Sequence, residues 1–178
     1  MFFFSRFVSE INMESNFRFK IRLAKVFDLE LVNDFWWCLI KEQENFDKRI
    51  IISEFNKHRS INFLRERILN GYLFLAESNK QEVIGLGTIS KDLHFLQTDL
   101  EVWNIADIWV KKEYRRKDVA SKIIKKLEEI AIENGADEIR LNVYSNNLPA
   151  VSLYEKLNYT PKITTFSKPL STDLKIDN

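Results

Sequence analysis

Between residues 105 and 159 the chain fits a strand, a cationic loop, an amphipathic helix, a second strand and a second helix with few residues to spare. Ile105-Ala106-Asp107-Ile108-Trp109-Val110 has the β-branched and aromatic content of a strand. Residues 119–134 place Val119, Ile123, Ile124, Leu127, Ile130 and Ala131 on one helical face, with lysines and glutamates opposite and Gly135 as the stop. Residues 137–144 read as a strand that turns Ile139, Leu141 and Val143 inward. Residues 147–157 read as a helix that tolerates Pro149 in its first turn. A strand–helix–strand unit of this kind predicts a parallel pair.

The preceding residues have a different rhythm. Residues 17–23, Phe-Arg-Phe-Lys-Ile-Arg-Leu, alternate strictly and predict a half-buried strand. Asp28 is placed to cap a helix carrying Leu29, Val32, Trp36, Leu39 and Ile40, fading near Glu44. A second helix is expected over 56–70, with Ile61, Leu64, Ile68 and Leu69, and Gly71 closes it. Stretches 72–77, 82–90 and 100–110 follow at spacings too short for helical crossovers, so three antiparallel strands are expected. A final strand is expected within 159–170. The fold class is therefore α/β of the α+β kind: a single domain with a central mixed, mostly antiparallel sheet flanked by helices. It spans 17–170, with a loose N-terminal extension over 1–16 and a tail over 171–178.

Bulk properties narrow the function. The 178 residues carry a formal net charge of +1, so no global field draws the protein to nucleic acid or to an acidic membrane. No stretch has the ~18 consecutive apolar residues of a membrane span. The lone Cys38 cannot form an intrachain disulfide, which points to a reducing, cytoplasmic setting. Its apolar helical neighbours predict a buried packing residue. His58 and His94 are expected at the surface, and no metal is expected.

The chemistry concentrates where Arg115-Arg116-Lys117-Asp118-Val119-Ala120-Ser121 runs straight into a helix. Backbone N–H groups at a helix start, with the helix dipole behind them, suit a phosphate, and three consecutive cations reinforce that reading. The same residues also describe a solvated charged turn. Asp107 stands on the strand entering this loop; by alternation it shares a face with Ile105 and Trp109, and either points into a cleft or pairs with a surface lysine. Glu101 lies further up.

Two motifs in register extend this reading. The loop resembles the pyrophosphate signature Arg/Gln-x-x-Gly-x-Gly/Ala of the GNAT superfamily of N-acetyltransferases, with Arg115 and Ala120 at its ends. Downstream, Asn147-Leu148-Pro149-Ala150-Val151-Ser152-Leu153-Tyr154-Glu155-Lys156-Leu157-Asn158-Tyr159 is similar to that family's Asn-x-x-Ala-x-x-Leu-Tyr-x-x-x-Gly-Phe ending. The resemblance implies a GNAT-like domain using acetyl-CoA as acetyl donor to an amine acceptor of a small molecule or peptide. Acetyl-CoA would lie in a splay between the strand ending at Val110 and the strand 137–144. Backbone groups at Ile108 and Val110 would meet the pantetheine. Arg115, Arg116, Lys117, Asp118, Val119, Ala120 and Ser121 would hold the pyrophosphate, and Asn147 the cofactor arm. Tyr154 would be the acid that protonates the departing thiolate, although its helical face would equally let it pack. Asp107 is the candidate base.

Two residues depart from the pattern. Asp118 stands where the family has glycine, and a carboxylate there opposes a phosphate unless it turns back to cap the helix. Asn158 replaces another glycine at a position where asparagine accepts left-handed backbone. The short C-terminal stretch would leave a sheet edge unpaired, which a homodimer would cover. The alternative expectation is a non-catalytic CoA-binding or interaction module that keeps the fold.

Overall fold

A computed structural model describes residues 17–92 and 100–168. They divide into two compact units, one ending at Asn142 and the other starting at Val143. The expected N-terminal extension, the C-terminal tail and His94 lie outside the described residues.

The first unit is built on an open five-stranded sheet in the order β1-β2-β3-β4-β5. Its strands are β1 (Phe19–Leu23), β2 (Leu73–Ser78), β3 (Val83–Lys91), β4 (Val102–Val110) and β5 (Glu138–Leu141). The first four pair antiparallel and β4 pairs β5 in parallel, so the sheet is mixed and mostly antiparallel, as expected. The helices are α1 (Leu29–Gln43), α2 (Glu54–Leu69) and α3 (Val119–Glu133).

Helices cover both faces. Val32 and Phe35 of α1 and Leu64 and Ile68 of α2 pack on Leu73, Leu75, Leu86 and Trp109. On the opposite face lies α3, whose Val119, Ile123, Ile124, Leu127 and Ala131 are buried. Gly87 makes that seat possible, since a Cβ there would stand 2.6 Å from Ile123 Cγ2 and 2.7 Å from Ile108 Cδ1. The helix stops follow the expected chemistry. Gly71 and Gly135 take φ of 72° and 78°, and Tyr72 N–H and Ala136 N–H return to Arg67 and Ala131 carbonyls at 2.8 and 2.9 Å.

Several expectations are corrected. Asp28 holds the N-cap position of α1 but makes no cap bond; its buried carboxylate turns back to Arg22 (2.8 and 2.9 Å) and to Lys25 N–H (2.8 Å). Cys38 is exposed, because it lines up with exposed Asp34 and Lys41 on the side of α1 away from Val32 and Phe35. The strand expected over 137–144 ends at Leu141, and Val143 is exposed. The stretch 159–168 contains no strand among the described residues, and Ile163 and Phe166 in it are exposed.

The second unit contains α4 (Leu148–Lys156). Asn147 caps it by accepting Ala150 N–H at 3.4 Å. Asn158 closes it with φ of 67°, and Tyr159 N–H reaches the Tyr154 carbonyl at 3.0 Å. Asparagine thus fills the left-handed position that the expectation assigned it.

Candidate active site

The parallel register runs from Val102↔Glu138 to Ile105↔Leu141 and stops there, while β4 continues to Val110. The last five residues of β4 therefore have no β5 neighbour. Lys111 N–H bonds the Ile84 carbonyl at 2.9 Å, which makes the adjacent Gly85↔Val110 pair a non-hydrogen-bonded one. Val110 N–H and C=O accordingly point away from β3, toward the side β5 has vacated. Strand alternation turns the Ile108 groups the same way.

Within this open stretch β4 carries a bulge. Leu86 pairs with Trp109 but Thr88 pairs with Ala106, so Gly87 opposes two residues, Asp107 and Ile108. Asp107 sits there with φ of 53°, in left-handed backbone that aspartate tolerates better than most residues. The extra residue breaks the expected face. Asp107 shares the α1 side with Trp109, whereas Ile105, opposite Ile89, lies on the α3 side. Asp107 Oδ1 accepts Trp36 Nε1–H at 3.0 Å, and Oδ2 accepts the buried Thr88 hydroxyl at 2.7 Å. A carboxylate has about four acceptor positions, so both oxygens keep capacity for a further donor. Glu101 instead pairs with Lys91 at the surface.

Beyond Val110 the chain passes a short 3₁₀ turn, Lys112–Tyr114, and enters the cationic loop. Arg116 and Asp118 both have left-handed backbone, φ 62° and 58°. Asp118 makes no side-chain cap bond to α3. No acceptor among the described residues is recorded for the N–H groups of residues 116–121. Left-handed residues alternating with their neighbours, followed by a helix start, are the backbone pattern from which anion nests are built. The fit to a pyrophosphate thus lies in the backbone.

The side-chain cations are mostly engaged elsewhere. Arg115 donates Nε–H to the Val110 carbonyl at 2.8 Å, and its Nη2 spans both oxygens of Glu42 at 2.7 and 2.9 Å. Lys117 Nζ lies 5.5 Å from the ring centres of both Phe17 and Tyr114. Glu82 accepts from Lys111 Nζ and Tyr114 Oη, each at 2.6 Å. Arg116 is exposed, with no ion pair recorded among the described residues. Glu42 and Thr88 are site residues that sequence reasoning did not assign.

In the second unit Tyr154 is half-buried, its ring edge-on to Tyr159 at 6.2 Å. Burial pushes its phenol above the ordinary value. Among the described residues there is no helix long and apolar enough to cross a membrane and no cluster of metal-ligating side chains.

Residues 29–159 match the family described as Acetyltransferase (GNAT) family. Thialysine N-epsilon-acetyltransferase of Sus scrofa is 47% identical over 53 residues, 30% of this chain and 31% of that protein. The chain spans under half the length of the curated relatives it matches. Glucosamine-6-phosphate N-acetyltransferase from Arabidopsis thaliana shares the fold at TM-score 0.64 and 18% identity, covering 86% of this chain and 99% of that one. A predicted acetyltransferase from Clostridium acetobutylicum, solved with acetyl-CoA, does so at TM-score 0.62 and 16% identity, covering 86% and 96%. The family match extends over well more than half of the sequence and includes the splayed strands, the nest-like loop and α4. The chain belongs to the GNAT family of acetyltransferases.

Proposed function

We propose that the protein is an N-acetyltransferase that moves an acetyl group from acetyl-CoA to a primary amine by direct attack. The observation that carries this reading is the open edge of β4 leading into a run of N–H groups at the start of α3. Val110 N–H supplies a fixed donor at that edge, of the kind that polarises an acyl carbonyl. The amides of residues 116–121 hold the pyrophosphate, with Arg116 as the nearest uncommitted cation. When bound, acetyl-CoA supplies the activated acyl group.

Asp107 takes the proton of the incoming amine, directly or through one water, from the orientation that Trp36 and Thr88 impose. Asn147 uses its side-chain oxygen on α4 and keeps its amide donors for the cofactor arm. Tyr154 gives a proton to the leaving thiolate, and its raised pKa keeps it protonated at neutral pH.

The test is a thermal-shift titration with acetyl-CoA, followed by thiol release with thialysine, L-lysine and a peptide N-terminus as acceptors. Ligand at about 100-fold its dissociation constant adds about 2.7 kcal/mol, or about 5–11 °C for a chain of this size. A saturable shift with amine-dependent thiol release supports the reading. No shift at millimolar ligand would leave a non-catalytic module that keeps the fold.

A further inference from the structure

Four groups from three elements close a ring beside the open strand edge. Glu42, on the last turn of α1, accepts Trp109 Nε1–H at 3.3 Å and Arg115 Nη2–H at 2.7 Å. Arg115 in turn donates Nε–H to the carbonyl of Val110, the residue after Trp109. The cation at the head of the phosphate loop is therefore paired with an acidic residue of a different element. Its fork spans the junction between β4 and the loop.

We propose that Glu42 is a positioning residue for the donor site: through Arg115 it holds the loop so that the N–H groups of residues 116–121 converge. The inference rests on acetyl-CoA being the ligand of that loop. On the other side Glu82 holds Lys111 and Tyr114, so the turn between strand and loop is gripped by two carboxylates. Neither carboxylate offers anything directly attractive to a phosphate.

That fact gives the proposal a sign. If Glu42 acts only as a charge, Glu42→Gln removes a repulsion and frees Arg115 to reach the anion, so acetyl-CoA binds as well or better. If it acts by holding Arg115, the loop loses its anchor and acetyl-CoA binds less tightly. Arg115→Lys makes the complementary test. It keeps the positive charge but loses the fork that reaches Glu42 and Val110 together.

The experiment is calorimetric titration of the unaltered protein, Glu42→Gln, Arg115→Lys and the double variant with acetyl-CoA. The melting temperature of each is read without ligand, and titrations are run well below it. The expected result is about five-fold or more weaker binding in each single variant, with the double variant no weaker than the worse single one. Unchanged or tighter binding by Glu42→Gln overturns the proposal, as does a double variant whose loss is the product of the two single losses. A failure of the unaltered protein to bind acetyl-CoA overturns the acetyltransferase reading itself, and this proposal with it.

Discussion

Trp36 of α1 gives its indole N–H to Asp107 of β4 at 3.0 Å, joining a helix to the bulged residue of a strand 71 positions away. Thr88 grips the other carboxylate oxygen at 2.7 Å. Asp107→Asn keeps a side chain suited to φ of 53° and removes the base. We expect kcat to fall about 100-fold or more, with little change in KM for acetyl-CoA. Thr88→Val should produce a smaller loss of the same kind, and Thr88→Ser should recover it. Steady-state kinetics with both substrates varied checks the pattern; a loss confined to KM for acetyl-CoA would remove Asp107 from the proton-transfer role.

Tyr154→Phe separates chemistry from binding. It should lower kcat about 10- to 100-fold while leaving acetyl-CoA affinity within about two-fold. Because burial raises this phenol above its ordinary value of about 10, the acid form persists through neutral pH. Its loss belongs above pH 10, so the alkaline limb of the kcat profile should begin there. A limb near pH 8 would assign the acid role to another group.

Asp118 occupies left-handed backbone without capping α3, so its carboxylate makes no local bond that a substitution would forfeit. Asp118→Gly should relieve the φ of 58° and tighten acetyl-CoA binding by about two- to five-fold, the scale of an exposed charge interaction. Calorimetric titration measures this. Equal affinity would show that the carboxylate already points away from the anion.

The triad of Arg22, Asp28 and Glu77 should set the acid limit of the fold. Arg22 holds the Asp28 carboxyl below the usual range, helped by the Lys25 N–H and opposed by burial. It holds Glu77 down as well, with Lys20. A carboxyl whose folded value is depressed contributes stability above its unfolded value, near pH 4, and loses it as pH falls through the lower folded one. Asp28→Asn leaves the half-buried Arg22 with Glu77 as its acidic partner and removes the charge-assisted pair with Asp28, which costs about 1–3 kcal/mol, or about 2–12 °C in Tm. The variant's Tm should also fall less steeply below pH 4 than that of the unaltered protein.

Much of this architecture was legible because local rules and tertiary demands agree. The stops at Gly71 and Gly135 and the apolar face of α3 each match the sheet-and-helix layout, whereas β1 does not keep the strict alternation of 17–23: Arg22 is half-buried and Leu23 is exposed. What escaped depends on partners distant in sequence. Glu42 reads as one more polar residue at a helix end, since Trp109 and Arg115 lie 67 and 73 positions away. A period of two cannot reveal an inserted bulge residue, so Ile105, Asp107 and Trp109 were placed on one face. Cys38 was drawn into the apolar stripe because α1 carries apolar residues around most of its girth. The β-branched run Ile163-Thr164-Thr165 has strand propensity, but in the structure its residues are exposed and unpaired with any strand. Propensity without a neighbour does not make a strand.

The bulge also filters which side chains position 107 will accept. Left-handed backbone admits aspartate, asparagine and glycine at small cost and disfavours longer acids. Asp107→Glu, ordinarily counted among the mildest of exchanges, is here the severe one. It meets the backbone penalty and carries the carboxylate past the two donors that hold it. Chemical similarity is therefore a poor guide to tolerance at this position, and backbone compatibility is the better one: a neutral asparagine should be easier to fold than a glutamate that retains the charge.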